Sequence, residues 1–337
     1  MAALPTSRMN LADLTKYMDP NGGVTPVVEL LAQRGTKELL GYLGWQPGNL
    51  PTGHEWGVRT ALPTAYTRAY NDGVELSKAG NARQTEGMAI IEAWSEVDAA
   101  EIKLNGQSSA FLAQENLAFL QTMEQKFQQL FYAGNTSSDS TEFNGVKTRT
   151  STLASGNVID AGGDNASTNT SIFLMSLGDD FFGIYPKGSM AGVDHKDLGE
   201  QIIEVSATKR MLARVTQFTW NCGLALRDWR RLVRIANIKV ADLRARTTTQ
   251  ALTASTNILY AMSDAIQMLP DSNGTNVFGA NRTVIASLAK MGLDKSQNVL
   301  SVENGLTQFG RPFQQVSFLG VPIVPMDRIL NTEGKVS

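Results

Sequence analysis

FLGVPIVPMDRIL, residues 318–330, reads as a buried strand broken by Gly320, Pro322 and Pro325. Proline has no N–H to give to a sheet ladder, so this composition predicts an edge strand or a bent segment. Working back from it, Asn281 can cap a helix over RTVIASLAKM, with Gly292 as its stop. Before that, Leu252, Leu259, Met262, Ile266 and Leu269 recur at helical spacing, and Pro270 closes an amphipathic helix over 249–269. The segment therefore closes a run of mixed helices and strands.

Strand patterns dominate further upstream. From 215 to 226 the alternation is strict: Phe218, Trp220, Cys222, Leu224 and Leu226 share one face, with Gln217, Thr219 and Asn221 opposite. That is a long half-buried strand. SIFLMSLG and FFGIYPKG read as a strand pair, EQIIEVS as a further strand, and RRLVRIANI fits strand or helix. Residues 135–170 are rich in Gly, Ser, Thr, Asn and Asp and read as a connector. Ahead of the connector lies a helix that Ser108 or Ser109 can cap. Its stripe is Phe111, Leu112, Leu120, Met123, Phe127, Leu130 and Phe131, widened by Leu117 and Phe119, and Gly134 stands at its C-terminal end. About 25 residues at 1.5 Å each give a rod near 37 Å.

Residues 53–97 show strand character at both ends, GHEWGVRTA and RQTEGMAIIEAWSEV, around a polar stretch punctuated by Pro63, Gly73 and Gly80. As a hairpin its arms reach on the order of 30–50 Å at about 3.3 Å per residue. An isolated two-stranded hairpin is marginal in water, and neither arm has an apolar face with which to cover the other. The element is expected either to be disordered or to lie across another subunit; an ordinary solvated loop is the plainer reading. Residues 1–50 read as an arm of short helices: Asn10 caps LADLTKYM, Thr25-Pro26 opens VVELLAQR, and TKELLGYLG follows. Each is too short to stand alone.

The composition argues against several functions. Thirty basic and 32 acidic residues give a net charge of -2, without the basic excess of a free nucleic-acid binder. Ten basic residues fall between 209 and 246 (Lys209, Arg210, Arg214, Arg227, Arg230, Arg231, Arg234, Lys239, Arg244, Arg246) against Asp228 and Asp242. Such polarity suits basic-to-acidic pairing between copies, or a surface near nucleic acid. Charged residues are only 18% of the chain, as expected where much surface enters subunit contacts. Cys222 is the single cysteine, which excludes an intrachain disulfide and suits a reducing compartment. No secretion signal or membrane-length apolar run is read, so a soluble protein without membrane association is expected.

Catalytic chemistry is hard to place. His54 and His195 are the only histidines; DHKD, 194–197, reads as a surface loop, and Asp179–Asp180 as a turn. Two histidines and one cysteine far apart have no zinc-ligand spacing, and no phosphate-cradling glycine loop is present. No catalytic residue, cofactor or metal is expected.

Several segments together resemble the major capsid proteins of tailed bacteriophages, whose Hong Kong 97-like fold is shared by encapsulin shells. LFYAGN, Leu130 to Asn135, followed by a polar connector and FNGV, Phe143 to Val146, is similar to the family's spine helix and the turn after it. FLGVPIVPMDRI resembles the Gly-hydrophobic-Pro segment that crosses the family's axial domain. The resemblance implies an α+β fold with residues 1–50 as the N-terminal arm, 51–98 as the extended loop, 99–247 as the peripheral domain with spine helix 108–133, and 248–337 as the axial domain. In the familiar order the axial segment precedes the last peripheral strands; here it comes last, which implies a permuted topology of the short-tailed phage type. The Pro-bearing strand would then be the last edge laid on the axial sheet.

What the resemblance implies about function is structural. Copies would form hexamers, pentamers and a closed icosahedral shell around phage double-stranded DNA, touched non-specifically on the inner face. A portal would be a partner, and a cement or scaffolding protein could be another. The virion would be the protein's location, assembled in the bacterial host's cytoplasm. Tyr42 and Trp45 in the arm, and Tyr66, Arg68, Tyr70, Glu75 and Lys78 around the loop tip, are the expected assembly contacts. The alternatives are an encapsulin-type compartment shell and, in another class, a monomeric α/β enzyme or binding protein.

Overall fold

The computed structural model describes residues 36–103, 108–163, 167–206, 208–244, 257–270, 274–293, 300–306 and 312–337. The arm over 1–35, the first half of the 249–269 helix with Leu252, and the side chains of Ser108, Ser109 and Phe111 lie outside the described residues. Along the chain come α1 (Thr36–Tyr42), β1 (Trp45–Pro47), β2 (Gly53–Ala61), β3 (Gly80–Asp98), α2 (Ala99–Lys103), α3 (Ser108–Ala133) and α4 (Val146–Arg149). Then follow β4 (Val158–Asp160), β5 (Asn169–Leu177), β6 (Phe181–Tyr185), β7 (Val193–Ser206), β8 (Lys209–Leu226), β9 (Leu232–Lys239) and α5 (Val240–Arg244). The remainder is α6 (Ile258–Met268), β10 (Thr275–Ala280), α7 (Arg282–Leu293), β11 (Leu300–Leu306), β12 (Pro312–Phe318) and β13 (Val321–Pro325).

The strands make two sheets. In the first the order is β1-β6-β8-β3-β2, with β7 also paired to β8. In the second it is β11-β12-β13-β10-β5-β9-β4. The long strand read over 215–226 is the C-terminal part of β8, and its alternation holds: Phe218, Trp220, Cys222, Leu224 and Leu226 are buried. RRLVRIANI resolves into a 3-10 turn and β9.

All nine residues of β5 are buried, because both of its faces are covered. Phe173, Met175 and Leu177 point into the core that α3 fills with Met123, Phe127, Leu130 and Phe131. Ile172 and Leu174 point the other way, against Met262 and Ala265 of α6 and Val284 and Leu288 of α7. Burying each such large side chain stabilises the fold by about 1.5–3 kcal/mol. α3 thus joins the two sheets: its aromatic end meets Trp220 of β8 at Phe127 (ring centroids 4.7 Å) and also β5.

Gly134 matters for space. It keeps a negative φ, and a Cβ there would lie 2.3 Å from the Phe143 carbonyl oxygen and 2.6 Å from that of Leu130. Gly145 donates its N–H to the Gly134 carbonyl at 2.9 Å and would meet the Leu130 oxygen in the same way. The chain leaving α3 therefore folds back onto the helix end backbone against backbone, which is the reason for glycine in both LFYAGN and FNGV.

Asn281 caps α7 as read, its Oδ1 accepting from Thr283 N–H at 2.9 Å, although the helix runs past Gly292 to Leu293. Asn257 caps α6 by accepting from Leu259 N–H.

Four expectations need correction. The Pro-bearing strand β13 is interior, lying between β12 and β10. Prolines are tolerated there because each ladder is short: Ser317 and Phe318 on one side, Phe278 to Ala280 on the other. The N–H after Pro325, that of Met326, donates to the Ala280 carbonyl at 2.8 Å. Second, SIFLMSLG and FFGIYPKG are not paired strands; β5 and β6 belong to different sheets and meet only in a bridge at Gly178 and Phe181. Third, Leu117 is exposed rather than part of the buried stripe, while Phe119 stacks on Phe218 at 6.0 Å. Last, DHKD lies in β7, where His195 pairs with Phe218 and is exposed. Asp179–Asp180 does form a turn.

Candidate assembly surface

β2 and β3 form the expected hairpin, with Gly53 opposite Gly87 and Ala61 opposite Gly80. β3 then continues as a central strand, pairing with β8 from Met88 to Asp98. One 19-residue strand is thus half limb and half body, about 63 Å in all at 3.3 Å per residue. From residue 57 to 85 nearly every position is exposed, whereas the body half alternates between buried and exposed.

The root of the limb is built from buried charge. Arg149 of α4 pairs with Glu86 of β3, and donates to the Leu224 carbonyl of β8 and the Asn144 carbonyl after α3, both at 3.1 Å. One guanidinium so ties limb, sheet and helix end together. Opposite Glu86 in register stands His54. His54 is buried, edge-on to Phe182 at 5.6 Å, and its Nε2 accepts from Arg227 Nη2 at 3.0 Å. Burial, and then the neighbouring Arg227 charge, hold its pKa below the ordinary value, so the ring is neutral at pH 7.

The tip over 62–79 carries no strand, and the side-chain hydrogen bonds described for it run between its own residues. Tyr66 Oη donates to Glu75 at 3.4 Å, Arg68 to the Asp72 carbonyl at 2.8 Å, and Ser77 to the Thr64 carbonyl at 3.0 Å. Tyr70 and Leu76 are fully exposed, with Leu62, Tyr66 and Val74 exposed beside them. Lys78 is exposed too. Bare apolar side chains on an exposed tip, carried by a hairpin with a buried root, make this the candidate interaction surface of the subunit.

A family model described as major capsid protein GP7 matches residues 19–337. The chain belongs to that family. No curated protein matches it. The solved structure of bacteriophage Epsilon15 is 27% identical over 100% of this chain and 99% of its own, at a TM-score of 0.78. More distant are the bacteriophage JBD30 capsid (10% identity, 89% of this chain and 93% of that one, TM-score 0.48) and the SrpI encapsulin of Synechococcus elongatus PCC 7942 (10%, 64% and 92%, TM-score 0.42). The protein is a shell-forming major capsid protein of the virion, with the α+β Hong Kong 97-like fold.

In the capsid subunit the expected arm contacts pack on the core with one side. Trp45 packs between Phe127 at 5.9 Å and Trp220 at 6.1 Å, so close to Gly183 that a Cβ there would sit 2.8 Å from its ring. Tyr42 packs on the same core. Both are half-buried.

Several arginines of the basic stretch over 209–246 are paired in place. Arg210 pairs with Glu204 (2.8 Å), Arg214 with Asp197 (2.5 Å), Arg230 with Asp228 (2.8 Å) and Arg231 with Asp180 (2.9 Å). Arg244 and Arg246 fall outside the described side chains.

Sequence reading missed a buried cluster. Glu333 accepts from Tyr132 of α3, from Ser171 of β5 at 2.5 Å and from Arg234 of β9 at 3.0 Å. Arg234 also donates to the Thr150 carbonyl at 2.8 Å, and both charges are almost wholly buried. Burial pushes the Glu333 carboxyl up to about 8; the guanidinium at 3.0 Å and the two donated hydroxyls act in the other direction, favouring the carboxylate. Burial lowers Arg234 to about 10, leaving it charged at neutral pH. A single arginine inside the apolar run LVRIANI was the available signal, because a charge there requires a buried partner. Among the described residues no cluster of His, Cys, Asp and Glu could hold a metal, and no helix is long and apolar enough to cross a membrane.

Proposed function

We propose that copies of this subunit close into hexamers and pentamers of an icosahedral shell around double-stranded DNA, with the β2–β3 limb lying across a neighbouring copy. The supporting observation is the limb itself: its root is fixed by Glu86, Arg149 and His54, and its tip leaves Tyr70 and Leu76 bare. Tyr66, Arg68, Tyr70, Glu75 and Lys78 are its contact residues, and Tyr42 and Trp45 are those of the arm. Many such contacts, individually modest, reinforce one another around a closed lattice.

In this reading residues 1–50 tie neighbouring rings and 51–98 are the extended loop. Residues 99–247 carry the peripheral body on α3. Residues 248–337, on the sheet they share with β4, β5 and β9, point toward the ring centres in a permuted order. The subunit has no catalysis or cofactor of its own. DNA is met on the inner face without sequence preference. A portal, and a cement or scaffolding protein where one is used, are its other partners, and assembly takes place in the bacterial host's cytoplasm.

Deletion of residues 63–79 tests this. A folded, soluble subunit that no longer forms shells is expected; shells of unchanged yield and form would overturn the role of the limb. Particles carrying enzyme cargo in place of DNA would favour a compartment shell. A subunit monomeric at all concentrations would favour the enzyme or binding-protein reading.

A further inference from the structure

The turn between β12 and β13 places Leu319 at φ 49° and Gly320 at φ 81°. Phe318 pairs with Val321 across it, so this is a two-residue hairpin whose central positions both have positive φ. Such a turn favours Asn or Asp followed by Gly, because the Cβ of most residues crowds the backbone in the left-handed region. Among the described residues the other two non-glycine residues with positive φ, Asn71 and Asn237, obey that preference. Leu319 alone does not.

Within the subunit the leucine brings no packing that offsets the strain. Its side chain is 56% exposed, while Phe318 beside it is buried against Phe278 and supplies the apolar anchor. A bulky residue held in a costly conformation with its side chain in water breaks the local rule for no gain inside the chain, and that combination marks a site of function. In a chain that builds shells from copies of itself, the surface able to cover an apolar side chain is another copy.

We infer that Leu319 is an assembly contact: its side chain inserts against a second copy of this chain, and the left-handed turn aims it there. The inference rests on self-assembly, but not on the limb, and it places a second contact point far along the sequence from the tip.

Two variants separate strain from contact. Leu319→Asn and Leu319→Gly both suit the turn, so the unassembled variants should unfold at a midpoint equal to or above that of the wild type. Loss of a buried leucine should raise the subunit concentration needed for shells on the order of tenfold. Cys222 is buried, so Leu319→Cys also introduces the one accessible thiol. A maleimide should label it in free subunits and be blocked in shells. Assembly curves that superimpose on the wild type, or equal labelling in free and assembled protein, would overturn the assignment. The wild type forming shells in the same assay keeps that failure distinct from failure of the capsid reading.

Discussion

Replacing Glu333 by glutamine should be among the most damaging near-isosteric changes in the subunit. The variant keeps the volume but removes the charge that answers Arg234, and puts an amide N–H₂ where one carboxylate oxygen accepted from Tyr132 Oη, or from Ser171 Oγ and the guanidinium. Arg234 is then left 1% exposed with the Thr150 carbonyl and the Ser171 hydroxyl as its remaining partners. Removing one member of a buried pair costs about 3–5 kcal/mol, because the survivor stays desolvated and uncompensated. Arg234→Met should fall in the same range, since it strands the Glu333 carboxylate. The double variant Arg234→Met/Glu333→Met should lose far less than the sum. It removes both charges together and leaves only the Tyr132 and Ser171 hydroxyls and the Thr150 carbonyl short of partners, about 1 kcal/mol or somewhat more each. Equilibrium urea unfolding of unassembled subunits reads all three. A Glu333→Gln variant within about 0.5 kcal/mol of the wild type, or single losses that simply add, would refute the buried pair.

The other predictions concern the helix turn, the limb root and the buried thiol. Gly134→Ala should lower stability by about 1–3 kcal/mol or more, because the added carbon overlaps the Phe143 and Leu130 carbonyls; an unchanged unfolding midpoint would contradict the close approach. His54 has its pKa depressed below 6.5, so the unfolded chain binds the extra proton more readily than the native one. Its contribution is therefore complete above pH 6.5 and is lost as pH falls below that value toward the folded pKa. His54→Gln should flatten this part of the stability–pH profile, and an identical slope would count against a buried neutral ring. Arg149→Ala should loosen the limb root, seen as faster amide exchange over 53–61 and 80–88 in free subunits. Cys222, whose thiol burial pushes well above its ordinary pKa, should resist alkylation until the subunit unfolds.

Much of this architecture was legible where side-chain pattern and local geometry agree. The alternation in β8, the stripe of α3 and the Asn281 cap each follow from residues within one turn or one pleat. Strand partnership was less legible, because it depends on contacts distant in sequence. β5 and β6 are neighbours in the chain yet join different sheets, and nothing in SIFLMSLG says that both its faces will be covered. The interior place of β13 was hidden for a related reason: proline forbids a long ladder, but not two short staggered ones. In residues 53–97, strand character at both ends made the hairpin legible, and the lack of an apolar face agrees with the exposure of nearly all of 57–85. Glu333 was unreadable in a polar stretch, since its partners come from α3, β5 and β9. That Trp45 packs on Phe127 and Trp220 was not readable, because a short arm shows no periodicity from which to tell its inner side.

Hydrogen exchange of residues 53–86, compared between unassembled subunits and closed shells, tests most directly whether the limb draws its stability from sister copies. Strong slowing on assembly, greatest over 57–83, is the expected result. Amides over that span that are already slow in the dilute subunit, or as fast in the shell as outside it, would contradict the account.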